Sequence, residues 1–298
     1  MKYKILVGLL VCTAAVLALT VLLLYAPWAK NQSFNSQAVK AEGHHNAYFM
    51  QADFYTPLHD LGQVQIVNQP VFGAIVSHHF FTEKEIAKLY AELDGQDYDT
   101  IVVIGPNHFN AGSGEVLASA WPYQTPWGEL EPNTDVINFL SSHGLVKIEE
   151  QPFVREHSIS VEVGFIKRQF PKARIVPIIL KRNTPEDTAE KLAAALNKIL
   201  PPKSLVLASV DFSHHVTNQV AQQQDKTSVA LIQNLDLAGL NKLSPTAMDS
   251  PISIMTLLDY LKFKQATSMQ FYNTNQALLS GNLNNTDVTS YLFAAFTK

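Results

Sequence analysis

The chain has 298 residues, 22 basic and 26 acidic, with 47% hydrophobic residues, 16% charged residues and one cysteine. That length suits one large or two ordinary domains, and the apolar content excludes a disordered or low-complexity chain. A single cysteine excludes an intrachain disulfide framework and any cysteine-based zinc finger or iron–sulfur site. Three basic residues (Lys2, Lys4, Lys30) and no acidic one lie in the first 30 positions, which leaves 19 basic against 26 acidic residues in the remainder. That sign argues against nucleic acid as a partner, because phosphate binding needs a cationic surface.

Residues 5–25 carry no charge. As a helix they span roughly 30 Å, the thickness of a bilayer core. They predict a single-pass transmembrane anchor within residues 1–30, with the membrane as partner. Lys2 and Lys4 keep the N-terminus cytoplasmic and place the domain outside the cytoplasm. The competing reading is a cleaved signal peptide, whose apolar stretch is usually shorter, about 7–15 residues. Cys12 falls in the span, so the exported part is indifferent to thiol redox conditions. Residues 31–69 are polar and weakly patterned, and read as a linker followed by a packed arm. His44 and His45 are expected there as a solvated pair, a metal-trapping arm being the alternative.

From residue 70 to the end the pattern is that of one domain. Segments 71–77, 100–104, 173–180 and 204–210 are short β-branched runs, expected as buried strands. Residues 82–93 predict a helix, with Thr82 and Glu85 spaced as a capping box. Amphipathic helices follow over 160–170 and 185–200, the latter with Thr184 as N-cap and Pro185 at the first helical position. Helices are predicted again over 219–235 and 252–263, and a closing strand over 288–296. The alternation predicts an α/β fold: a single sandwich domain around a largely parallel or mixed central sheet, preceded by one transmembrane helix.

Three of the predicted strands run into histidine: Ser77-His78-His79, Pro106-Asn107-His108, and Asp211-Phe212-Ser213-His214-His215. Ligands of open α/β sheets bind at the carboxyl ends of strands, so imidazoles and a carboxylate converge where a site is expected. Imidazole and carboxylate without thiolate suit a divalent metal, iron(II) above all, with zinc, copper or manganese as alternatives. Neighbours in an extended segment face opposite ways, so one histidine of each adjacent pair should reach the metal. Glu156 and His157 open the 160–170 helix. They read either as a substrate-binding pair at a helix N-terminus or as a cap with His157 supporting the site from behind. Gly112 and Gly114 lack the following lysine of a phosphate loop, and Asp211-Phe212-Ser213 lacks the Gly-x-Ser-x-Gly elbow of a serine nucleophile. The aromatic turn over 121–128 should cover the core or the mouth of the site.

These segments, in this order, resemble the MEMO family, including bacterial members named protein B of the AmmeMemoRadiSam system. The matching pieces are Ile75-Val76-Ser77-His78, Val103 to His108 (Val-Ile-Gly-Pro-Asn-His), Thr125-Pro126-Trp127-Gly128, Glu156-His157-Ser158-Ile159, Ala208 to His214 (Ala-Ser-Val-Asp-Phe-Ser-His) and Pro251-Ile252. The resemblance implies a domain similar to the LigB-type class III extradiol dioxygenases, which hold iron(II) on two histidines and a glutamate. It implies that His78 and His108 are metal ligands and that His214, with Asp211 beside it, is the catalytic acid/base. The family's third metal position, a cysteine, is Ala247 here, and the family's proline before its first metal histidine is Ser77. A third ligand is therefore expected from a carboxylate, Asp249 or Asp211. The alternative for Asp249 is a capping role, shared with Ser250, at the helix that starts with Pro251.

Three functions fit these residues. The first is a membrane-anchored MEMO-like protein with a mononuclear metal pocket and redox or dioxygenase-type chemistry. The second is a non-catalytic module binding a peptide or small anionic ligand in the same pocket. The third is a metal-dependent hydrolase using a metal-bound water.

Overall fold

The computed structural model describes residues 43–55, 61 and 63–298. The predicted anchor over 5–25 and the first part of the linker lie outside the described residues. Among those described, no helix is long and apolar enough to cross a membrane. The chain from Gly43 onward forms one compact unit.

Eleven strands occur among the described residues: β1 (His45–Asn46), β2 (Gly73–Val76), β3 (Thr100–Pro106), β4 (Val116–Ala118), β5 (Tyr123–Thr125), β6 (Gly128–Leu130), β7 (Lys147–Ile148), β8 (Arg174–Leu180), β9 (Ser204–Ser209), β10 (Ser268–Asn275) and β11 (Ser290–Thr297). Eight form the main sheet in the order β10-β11-β2-β9-β3-β8-β4-β7. Its centre is parallel: Val206 of β9 lies between Gly73 of β2 and Val102 of β3. The flanks are antiparallel at β10–β11, β11–β2 and β4–β8. The sheet is therefore mixed, within the predicted α/β class. β1, β5 and β6 form a small separate sheet, through which the arm joins the domain.

The central strands are buried on both faces, which is why they read as unbroken apolar runs. The helices are α1 (Glu83–Glu92), α2 (Thr134–Ser142), α3 (His157–Ser160), α4 (Glu162–Gln169), α5 (Glu186–Ile199), α6 (Asn218–Gln233), α7 (Leu237–Leu240), α8 (Pro251–Lys264) and α9 (Gln276–Ser280). α2, α5 and α8 bury Ile137, Leu192 and Leu257 on one face of the sheet. α1, α4 and the arm bury Leu89, Phe165 and Tyr55 on the other.

Several local expectations change. Thr82 is the N-cap of α1 but makes no capping bond. Its hydroxyl donates to the His79 carbonyl (2.8 Å) and to Ser77 Oγ (3.1 Å), tying the strand end down instead. Thr184 closes the preceding turn onto the Lys181 carbonyl, so Pro185 becomes the N-cap and α5 starts at Glu186. The helix expected over 160–170 begins earlier and is divided at Val161 into α3 and α4. His44 and His45 are not a solvated pair. His45 is buried among the rings of Trp121, Tyr123 and Phe153, with Nε2 2.8 Å from Glu150 Oε2 and 3.0 Å from Ser119 Oγ. That contact, with the β1–β5 pairing, pins the arm. The turn over 121–128 belongs mainly to the core: Tyr123 is wholly buried, and Trp127 packs on Tyr55.

Candidate metal centre

β2, β9 and β3 are adjacent and parallel, so the residues that follow them emerge at one edge of the sheet. His78 follows β2, Asp211 follows β9 and His108 follows β3. α3 brings His157 and Glu156 against the end of β3. That approach is close: a Cβ on Gly105 would stand 2.5 Å from Ser158 Oγ, and Ser158 Oγ donates to the Pro106 carbonyl at 3.0 Å. Asp249 enters from the loop before α8, where its backbone N–H donates to the Asp211 carbonyl at 3.1 Å.

Two overlapping groups of potential ligands result, each with its donor atoms within 4.8 Å of one another: His78, His108 and His157, and His78, Asp211 and Asp249. His78 Nε2 lies 3.2 Å from Asp249 Oδ2 and 3.7 Å from Asp211 Oδ2. His108 Nε2 lies 3.8 Å from the same Asp249 oxygen. The His108 and His157 rings stack at 4.1 Å, and both stand edge-on to His78.

The far side of each ring is already engaged. His78 Nδ1 is 3.1 Å from Ser209 Oγ, and His108 Nδ1 is 2.7 Å from Glu156 Oε1. Both leave Nε2 toward the centre, the arrangement in which an outer partner orients a metal-binding imidazole. Glu156 also accepts from the His108 backbone N–H (2.8 Å) and, as N-cap of α3, from the Ser158 N–H (3.0 Å). Of the two roles open to this pair, Glu156 takes that of cap and ring support. His157 stands among the convergent imidazoles.

The carboxylates differ. Asp211 Oδ1 accepts from the Ser77 hydroxyl (2.6 Å) and from the His78 N–H (3.3 Å), so Asp211 shapes the strand end. Asp249 caps nothing. Oδ2 takes the Asp211 N–H at 3.3 Å, while buried Oδ1 has no hydrogen-bond partner. Ser250 is the N-cap of α8 without a capping bond, its hydroxyl lying against Ser253 Oγ. Ala247 is buried close by and offers no donor atom.

The electrostatics follow from burial. Desolvation presses the His78 imidazole toward neutrality, but the Asp211 and Asp249 carboxylates outweigh it and bring its pKa up to about 10. Burial, with His78 and His108 nearby, brings His157 down to about 3, leaving a neutral ring able to ligate. Burial opposes ionisation of Glu156, yet its bond to His108 holds the carboxyl below the usual range.

His214 is half-buried, and its backbone N–H donates to the Thr246 carbonyl at 2.8 Å. With His108 and Asp249 it lines a cleft of about 430 Å³. The second members of the histidine pairs do not join the cluster. His79 accepts the Phe81 N–H on Nδ1 and stacks on Phe80. His215 adopts φ 53° and pairs with Asp287 at 2.8 Å in solvent. Two neighbours went unread in the sequence. Tyr48 of the arm stands 6.3 Å from the His157 ring, and Arg182 lines the cleft. Arg182 follows the end of β8 by two residues, so the strand-end rule that found the histidines extends to it.

A family model described as Memo-like protein matches residues 73–292. Relatives include a MEMO1 family protein of Pyrobaculum aerophilum, 30% identical over 198 residues, 62% of this chain and 70% of that one. Another, of Pyrobaculum arsenaticum, is 31% identical over 192 residues, 61% of this chain and 68% of that one. A solved structure of an uncharacterised protein from Escherichia coli K12 aligns over 75% of this chain and 99% of that one, at 11% identity and a TM-score of 0.49.

Proposed function

As the chain belongs to the Memo-like protein family, we propose that it is a metalloprotein whose pocket holds one divalent ion on His78, His108 and Asp249 and carries redox chemistry of the dioxygenase type. The observation that supports this reading is the buried, unpartnered oxygen of Asp249 in a group where two imidazole Nε2 atoms already face its second oxygen. A buried carboxylate oxygen without a donor is costly, and a cation removes the cost. Two imidazoles and a carboxylate suit iron(II) and leave coordination positions open, while zinc, copper and manganese accept the same donors. His157, grouped with His78 and His108, offers an additional nitrogen.

Iron(II) held by His78, His108 and Asp249 would supply dioxygen activation. The chain's own part is to hold the ligand rings through Ser209 and Glu156, to fix His78 through Asp211, and to present His214 as acid/base at the cleft. The test is the metal content of protein purified without a histidine tag, followed by oxygen uptake with catechol-like compounds. Stoichiometric iron with turnover supports the reading. Absence of any metal after gentle purification overturns it in favour of a non-catalytic binding module. Zinc with hydrolytic turnover and no oxygen uptake overturns it in favour of a hydrolase.

We also propose that residues 5–25 anchor the protein in a membrane, with the N-terminus cytoplasmic and the domain outside the cytoplasm. Support comes from the uncharged run and from Lys2 and Lys4 before it. Protease added to intact spheroplasts should digest the chain beyond Lys30; full protection would reverse the orientation.

A further inference from the structure

The cleft that opens onto His108 and Asp249 is uneven in charge. Among its lining residues Arg182 is the only lysine or arginine, and Asp249 is the only acid. Asp249 is the residue whose charge a metal ion would offset. His215 also lines the cleft, where Nδ1 is engaged with Asp287 Oδ1 at 2.8 Å. The N-terminal end of α8, at Ser250, adds positive potential from its backbone dipole.

The chain has four arginines. Arg155 lies over the Phe109 ring, Arg168 donates to the Tyr55 carbonyl, and Arg174 faces Asp135. Of these four arginines, Arg182 alone has no ion pair, hydrogen bond or ring contact with another described residue. Its neighbour Lys181 is turned away, with Nζ 2.7 Å from the Gly112 carbonyl. An arginine kept free at the rim of a cleft, in a chain of net charge −4, is placed to receive an anion. Its planar fork matches an oxyanion in two-point contact.

We infer that the cleft takes a small organic anion whose carboxylate is held by Arg182, so that Arg182 sets substrate class while the opposite end of the molecule faces His108 and Asp249. The inference rests on the metal-pocket reading for what happens at that inner end, but the anion contact stands independently of it. A cleft of about 430 Å³ is of the size that encloses a small metabolite rather than a folded partner.

The test is a calorimetric titration of the full chain with benzoate and with benzamide, its uncharged isostere, in metal-free and zinc-treated protein. Benzoate should bind more tightly than benzamide in both. Arg182→Gln should weaken benzoate roughly tenfold, the size expected for loss of a charge-assisted hydrogen bond, and leave benzamide unchanged. Arg182→Lys, which keeps the charge but not the fork, should fall between. Zinc titration of the same variants should be unaltered. The inference is overturned if benzoate fails to bind, if benzoate and benzamide bind equally, or if a benzoate preference survives Arg182→Gln. A preference confined to zinc-treated protein also overturns it, since the ion alone would then hold the carboxylate. If zinc binds nowhere while the Arg182-dependent preference persists, the metal reading fails and the anion site stands.

Discussion

Glu156 holds His108 at two points, taking the ring Nδ1 at 2.7 Å and the backbone N–H at 2.8 Å. The carboxylate is wholly buried and also starts α3, so one side chain fixes ring orientation, loop position and the helix that carries His157. Glu156→Gln keeps the shape but removes the charge that steadies the ring. Metal affinity should fall roughly 10–100-fold, as for other outer partners of metal histidines. Isothermal titration with iron(II) or zinc checks this, with circular dichroism to verify that the fold is retained.

Asp249→Asn separates a ligand from a cap. Asparagine caps a helix as well as aspartate does, and Asp249 makes no capping bond. We expect a loss of at least about tenfold in metal affinity, since a charge leaves the ligand set. Unchanged affinity in Asp249→Asn, together with a loss in Asp211→Asn, would move the carboxylate role to Asp211.

Glu162 on α4 is buried away from solvent, with Tyr90 donating to Oε2 at 2.8 Å and Oε1 unpartnered. Burial drives its carboxyl up to about 8, against smaller opposing effects of Tyr90 and His78. Below its unfolded pKa, near 4.3, the group is protonated in both states and its contribution to stability is fully present. Between there and about 8 the unfolded chain ionises first, so that contribution is progressively lost. Glu162→Gln, uncharged throughout, should raise the melting temperature relative to wild type at pH 8 and not at pH 4. Thermal melts across that range provide the comparison; a gain that is the same at both ends would show that ionisation of Glu162 is irrelevant.

Gly105→Ala places a methyl group against Ser158, with 2.5 Å to Oγ and 2.6 Å to Cβ. α3 must shift outward. Overpacking of this kind costs about 1–3 kcal/mol, and here the strain falls where β3 meets the His157 helix. Both melting temperature and metal affinity should drop. A variant destabilised with normal metal affinity would show that α3 is not needed to shape the centre.

The central strands were legible in the sequence because burial on both faces leaves no polar alternation to confuse them. For the same reason the histidines at their ends could be assigned to one edge of the sheet. β10 was not legible. It lies at the sheet edge, and its Met269, Phe271 and Tyr272 are mixed with Ser, Gln, Asn and Thr without a clean two-residue alternation. The cap at Thr184 misled because Thr-Pro looks like a helix start, whereas its hydroxyl closes the turn from Lys181. The buried state of His45 depends on Glu150 and Ser119, far along the chain, which no local pattern reveals. The split between the roles of Asp211 and Asp249 was equally hidden: it is decided by whether a nearby hydroxyl, that of Ser77, occupies the carboxylate.

The strand order also bears on when this site can exist during synthesis. β9 lies between β2 and β3, although both of its neighbours leave the ribosome long before it. β2 obtains its second neighbour only from β11, at residues 290–297. Before β9 forms, the emerging chain has histidines on two strands with no shared neighbour, and the edges that β9 will cover are open to wrong partners. The centre thus cannot close before β9 pairs with both strands, and a chain truncated before β11, which leaves the other edge of β2 open, should lose metal affinity along with solubility.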